Sequence, residues 1–142
     1  MHTKIQSLLF LTALLIFVAC NNDSSGGAQE VTFDVTFTCE ETETDEIGPI
    51  SSLYVTINSS KTKLADIRGC AGTLSSDEYA VYDVPTEAKA AAYGYWAGAG
   101  DYFYAIRDGE KLKIFRAEMD EMQDGKLDYE HLTEYQNGRF MY

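Results

Sequence analysis

Two alternating runs that meet at Asp108-Gly109 constrain the fold of this chain more than any other feature. Tyr102-Phe103-Tyr104-Ala105-Ile106-Arg107 precedes the pair, and Glu110-Lys111-Leu112-Lys113-Ile114-Phe115 follows it. Strand side chains point alternately to two faces, and Asp-Gly readily adopts the positive backbone angles of a tight hairpin turn. Counting out from a turn at Asp108-Gly109 sets Arg107 opposite Glu110, Ala105 opposite Leu112 and Phe103 opposite Ile114. The last two pairs make a core face. Tyr102 then faces Phe115, while Tyr104 and Ile106 face Lys113 and Lys111. This second face is aromatic, with lysine stems laid across it.

The same period of two recurs upstream. Val31, Phe33, Val35, Phe37 and Cys39 alternate with Thr32, Asp34, Thr36 and Thr38, which predicts a half-buried strand over 30–39. Glu40 to Glu46 carries five acids in seven residues, so an exposed loop is expected there. Leu53-Tyr54-Val55-Thr56-Ile57 reads as a second strand, with Lys61 to Ile67 as its hairpin partner across Asn58-Ser59-Ser60. Ser75 and Glu78 have capping-box spacing for a short helical turn, and Tyr79 to Val84 then reads as extended. Pro85 to Ala92 predicts one short helix, with proline in its first turn and alanines of high propensity; Gly94 ends it. Leu127 to Leu132 suggests a last strand, and Gln136-Asn137-Gly138-Arg139 a turn in the tail. The sum is a mainly β, antiparallel domain with one short helix, either a small barrel-like sheet or an α+β sandwich.

The aromatic segment from Tyr93 to Tyr104 is the most distinctive part of that domain. Tyr93, Tyr95, Trp96, Tyr102 and Tyr104 alternate with Gly94, Gly98 and Gly100. Rings beside small residues build a platform for a sugar ring or a partner protein, and rings with a polar tip are enriched in binding hot spots. The competing reading makes the same rings the core of a small sheet. These five residues are the candidate ligand-binding set.

Catalytic equipment is sparse. Beyond His2 the chain has one histidine, His131, and it lacks a nucleophile elbow, a phosphate-binding loop and a His-Glu-x-x-His motif. We expect no catalytic residue, no cofactor and no metal. The segment 120–131 places Asp120, Asp124 and Gly125 at calcium-loop positions. Met122 and His131 stand where the third and twelfth ligands belong, so a solvated acidic turn is expected instead.

The net charge of −12 disfavours nucleic acid, which requires a cationic surface. It also disfavours docking of the domain itself onto an anionic membrane. Met1 to Cys20 places His2 and Lys4 before an apolar run from Leu8 to Val18, the layout of an export signal. Phe17-Val18-Ala19-Cys20 resembles the lipobox of bacterial lipoproteins, with phenylalanine where leucine is usual. The resemblance implies cleavage before Cys20 and lipidation of that cysteine. Asn21 to Gly27 is polar and rich in glycine and serine, as a flexible tether is. The expected organisation is a signal peptide over 1–19, a lipidated cysteine and tether over 20–29, and one β-rich domain over 30–142. Asn21, where some inner-membrane lipoproteins carry aspartate, points to the outer membrane.

Cys39 and Cys70 remain. In an exported domain two cysteines most often pair, and without a neighbouring histidine they make a poor metal site. Closing a loop of this length stabilises by roughly 3–4 kcal/mol in the chain-entropy picture. The chain therefore reads as a membrane-anchored, extracytoplasmic, non-enzymatic binding or accessory module for a protein or glycan ligand. The alternative is an inhibitor: Phe37-Thr38-Cys39-Glu40 resembles the opening of membrane-bound lysozyme inhibitors, which are small β-barrels. An acidic protein meeting a basic lysozyme is electrostatically sensible.

Overall fold

The computed structural model describes residues 30–120 and 125–142. The segments read as a signal peptide (1–19) and as a lipidated cysteine and tether (20–29) lie outside the described residues, as does 121–124 of the acidic segment. From Val31 onward the described residues form two antiparallel sheets. The first contains β1 (Val35–Thr44), β2 (Pro49–Ile57) and β3 (Ser60–Arg68) in that order. The second contains β4 (Cys70–Thr73), β5 (Ala90–Trp96), β6 (Ala99–Asp108), β7 (Lys111–Met119), β8 (Glu130–Gln136) and β9 (Arg139–Met141), each beside its chain neighbour. The domain is mainly β, with one short 3-10 helix over Ser76–Tyr82, and neither sheet closes into a barrel.

The first sheet lays one face on the second. Phe37, Leu53, Val55, Ile57 and Ile67 meet Ala92, Phe103, Ala105, Leu112 and Ile114 in one buried cluster. The outer face of the first sheet is polar: Thr36, Thr38 and Glu40 lie across from Thr56, Tyr54 and Ser52, of which Ser52 alone is buried. One buried and one wet face is what clean alternation encodes. The predicted hairpin follows, its turn made by Asn58 and Ser59 with φ of 46° and 75°. Strand β1 starts later than 30 and runs on through the acidic stretch to Thr44, where a loop was expected. Glu40, Glu41, Glu43 and Thr44 pair with β2, and their side chains reach water from an edge strand. Charge repels from a core, not from the rim of a sheet, and edge charges discourage further pairing.

The second sheet is covered on both faces, and this overturns the predicted helix. Ala90, Ala91 and Ala92 belong to β5, each at most 8 % exposed. Ala90 and Ala92 face the first sheet, whereas Ala91 packs with Leu74, Tyr79, Val84 and Tyr104 on the other side. A strand buried on both faces shows no alternation. Eight residues also give a helix little beyond its nucleation cost, so alanine propensity loses to packing. Pro85 to Ala88 makes only a turn, with Ala88 N donating to Pro85 O at 3.0 Å. The capping residues act as predicted in part, with Ser75 N donating to Glu78 Oε2 at 3.3 Å. The helical turn then continues through Tyr82, where an extended segment was expected, and Asp83 closes it with φ of 53°.

The predicted hairpin at Asp108-Gly109 forms, one residue displaced. Gly109 and Glu110 make the turn, Asp108 lies opposite Lys111, and Ala105 lies opposite Ile114. Each partner moves by two positions relative to the prediction, which changes neighbours but not faces. Phe103, Ala105, Leu112 and Ile114 therefore stay in the core. The tail turn at Asn137-Gly138 is present, and the last predicted strand begins at Glu130.

Cys39 and Cys70 are bonded, with Cα atoms 6.1 Å apart. The bond joins β1 of the first sheet to β4 of the second.

Candidate functional site

The aromatic segment does not make one platform. Neighbouring residues of β5 point to opposite faces, so Tyr93 and Tyr95 share the outer face of the second sheet while Trp96 points the other way. Tyr93 and Tyr102 lie opposite each other and stack with Tyr82 of the 3-10 helix, Tyr82 and Tyr102 having centroids 4.8 Å apart. Tyr104 stacks on Phe115 and meets Tyr129 edge-on at 4.7 Å. Tyr102 and Tyr104 are buried, and burial raises both phenols, that of Tyr102 to about 12. Burial pushes the Tyr129 phenol up as well, and its hydroxyl donates to Tyr82 O at 2.9 Å. These rings fasten the 74–88 segment onto the sheet. Tyr95 and Trp96 remain accessible, at 48 % and 37 % exposure, on opposite faces.

Trp96 is the member of the candidate set that lines a cavity. A cleft of about 550 Å³ opens at one end of the sandwich, between the end of β3 and the ends of β6 and β7. Trp96, Ala99 and Gly100 contribute from the β5–β6 hairpin, whose two-residue turn is Ala97-Gly98. Asp66, Ile67 and Arg68 contribute from β3; Asp101, Arg116, Glu118 and Met119 come from β6 and β7. Asp120 lies just beyond them.

The charged walls are held by pairing. Arg116 donates from Nε and Nη2 to Asp101 Oδ1 at 3.0 and 2.6 Å, and Nη2 also lies 2.7 Å from Glu118 Oε1. Its guanidinium stands 5.8 Å from the centroid of buried Phe103, which supports the planar group from below. Asp66 accepts from Ser52 Oγ at 2.6 Å and pairs with Lys63 at 2.7 Å. Lys63 first, then Ser52, holds its carboxyl below the usual range. Arg68 pairs with Asp45 and donates to Gly48 O at 3.0 Å. Asp45 also accepts from Ile47 N and Gly48 N at 2.8 and 3.1 Å. The Arg68 guanidinium and these amides drive the Asp45 carboxyl well below its ordinary range. Gly48, so fixed, lies against the indole of Trp96.

A second cleft of about 340 Å³ is lined by Arg116, Glu118, Asp128, Glu130, His131 and Leu132. Arg116 and Glu118 belong to both. His131 also meets the Phe115 ring edge-on at 5.5 Å. Among the described residues, no group of three or more His, Cys, Asp or Glu side chains is placed to hold a metal ion. Nor is any helix among them long and apolar enough to cross a membrane.

Sequence reasoning missed Asp66, Arg68, Asp101, Arg116 and Glu118. A signal was present in the parity of the central hairpin. Leu112 and Ile114 point inward, so Arg116 and Glu118 share their face, as Asp101 shares that of Phe103 and Ala105. Charges on the core-facing register at the end of a strand mark the place where the core gives way to a cleft.

Comparison with protein-family models, curated proteins and solved structures finds no match to this chain.

Proposed function

We propose that this chain is a lipid-anchored, extracytoplasmic binding module, held through Cys20 and binding its ligand in the Trp96 cleft. The observation that carries the reading is the cleft itself: a half-exposed indole above charged groups already fixed by partners. Its volume falls within the roughly 300–1,000 Å³ of small-molecule sites. Groups oriented before the ligand arrives lose little freedom on binding. The Cys39–Cys70 bond supports an oxidising compartment, where such bonds persist. Lipidation would supply about 0.8 kcal/mol per buried methylene, with more than one chain needed for stable anchoring. The outer membrane is the proposed location, on the strength of Asn21.

The test is crosslinking of the full-length protein in its native membrane, followed by mass spectrometry of captured material and of the N-terminal peptide. The reading expects a lipidated peptide beginning at Cys20 and a captured ligand that is lost in Trp96→Ala. An unprocessed N-terminus removes the anchor, and capture unaffected by Trp96→Ala removes the cleft.

A further inference from the structure

The Trp96 cleft and the smaller cleft beside it share Arg116 and Glu118 as a common wall. We infer that they are successive subsites for an oligosaccharide without acid groups, one sugar ring stacked on Trp96 and the chain passing Arg116. The inference rests on the binding-module reading and supplies its ligand class.

Three observations converge on it. An exposed indole offers a flat apolar face, which suits the C–H face of a sugar ring better than it suits a fully polar ligand. Around it, the arginine fork and the carboxylates present donors and acceptors in fixed planes, the pattern that hydroxyl groups require. Asp101, Glu118 and Asp66 are already paired with Arg116 and Lys63 within the chain. The carboxylates nearest the indole are thus engaged within the chain, so that part of the wall suits neutral hydroxyls better than a basic side chain. The sign of charge excludes acidic sugars. Asp66, Asp101, Glu118 and Asp120 line the first cleft, and Asp128 and Glu130 extend the second, against Arg68 and Arg116. On a chain of net charge −12, a uronate would meet repulsion on entry.

Trp96 is the sole tryptophan, so its emission reports the cleft directly. The experiment titrates the full-length protein, in a detergent without a sugar headgroup, with the uncharged cellotetraose and tetra-N-acetylchitotetraose and with tetragalacturonic acid. At least one acid-free tetrasaccharide is expected to shift the emission saturably, with its disaccharide several-fold weaker and tetragalacturonic acid silent. Arg116→Gln should weaken that binding roughly tenfold or more, as loss of charge-assisted hydrogen bonds does. Tyr95→Ala, on the opposite face, should leave it unchanged. Should Arg116→Gln fail to fold, Trp96→Phe, read by calorimetry, serves in its place and should also weaken binding. No saturable shift with any acid-free sugar, or binding of tetragalacturonic acid as tight as theirs, overturns the inference. Equal affinity for disaccharide and tetrasaccharide overturns the paired subsites. A protein captured through Trp96 in the membrane experiment, with no sugar response here, would retain the module and discard the sugar.

Discussion

The indole of Trp96 lies so close to Gly48 that a Cβ there would come within 2.7 Å of ring atom Cζ2. Gly48 has φ of 146°, a conformation that side chains rarely adopt. The turn before β2 is thereby the back wall of the Trp96 site. Gly48→Ala should cost about 1–3 kcal/mol through crowding and backbone strain, and should also move the indole. Thermal unfolding reads the first effect and tryptophan emission the second. An unshifted emission would mean the ring does not rest on Gly48.

Asp45 holds that turn, and its carboxyl is depressed mainly by Arg68, with the amides of Ile47 and Gly48 adding to it. A carboxyl with a lowered folded pKa contributes stability that is full above its unfolded value of 3.8 and is lost progressively as pH falls from there through the much lower folded value. Acid should therefore loosen the 45–48 turn and shift Trp96 emission only well below the ordinary carboxylate range, where Asp45 finally takes up its proton, with high salt moving the onset to higher pH because the pair is exposed. Asp45→Asn should show the loosened state already at neutral pH. An emission profile of this variant that matches wild type across the acid range would contradict the linkage.

At the opposite end of the scale, Tyr102 is raised to about 12 by burial. A phenol with a raised folded pKa contributes stability in full below the unfolded value of 10.0, and loses it as pH climbs through the folded value. Ultraviolet titration should show exposed tyrosines ionising first. Tyr102, Tyr104 and Tyr129 should follow only as the domain unfolds in alkali. A single titration wave with the fold intact would show these rings to be accessible.

Ala92 separates strand from helix experimentally. It is fully buried between the sheets. Ala92→Leu should destabilise by about 1–3 kcal/mol, measured by urea unfolding, because a close-packed interior has no room for the added atoms. On the exposed side of a helix the same change would be nearly neutral.

How much of this could be read from the chain depended on how many faces of a strand are covered. In β1 and β2 one face is wet, so Phe37, Val55 and Ile57 alternate with threonines and the strands are legible. In β5 both faces are dry, and Ala90-Ala91-Ala92 carries no period to distinguish it from a helix. The central hairpin preserved its faces through a displaced register because side chains repeat every two residues. The candidate site was half legible. Trp96 stands out as the sole indole beside small residues. Its neighbours Asp66 and Arg68 come from a strand nearly thirty residues upstream, joined to it only by tertiary packing. Tyr102 and Tyr104 share Trp96's composition signal but lie beneath the 74–88 segment, whose path over the sheet no local pattern announces.

The Cys39–Cys70 bond crosses from one sheet to the other. Reduction, or Cys39→Ser with Cys70→Ser, should lower stability by about 2–4 kcal/mol, since a loop spanning 31 positions is released in the unfolded chain. Thermal unfolding with and without reductant checks this. Because β3 supplies the Asp66–Arg68 wall and leads through Gly69 directly into Cys70 of β4, the reduced protein should also bind less tightly in the cleft.

The most direct measurement compares wild type and Trp96→Ala, both full length, for thermal stability and for ligand captured by crosslinking in the native membrane. A half-exposed indole should cost less than the about 3–5 kcal/mol of a core tryptophan, so the account predicts a modest fall in Tm together with loss of the captured ligand. A collapse of Tm would make Trp96 a core residue. Full capture by a stable Trp96→Ala protein would place the binding surface elsewhere and contradict the account.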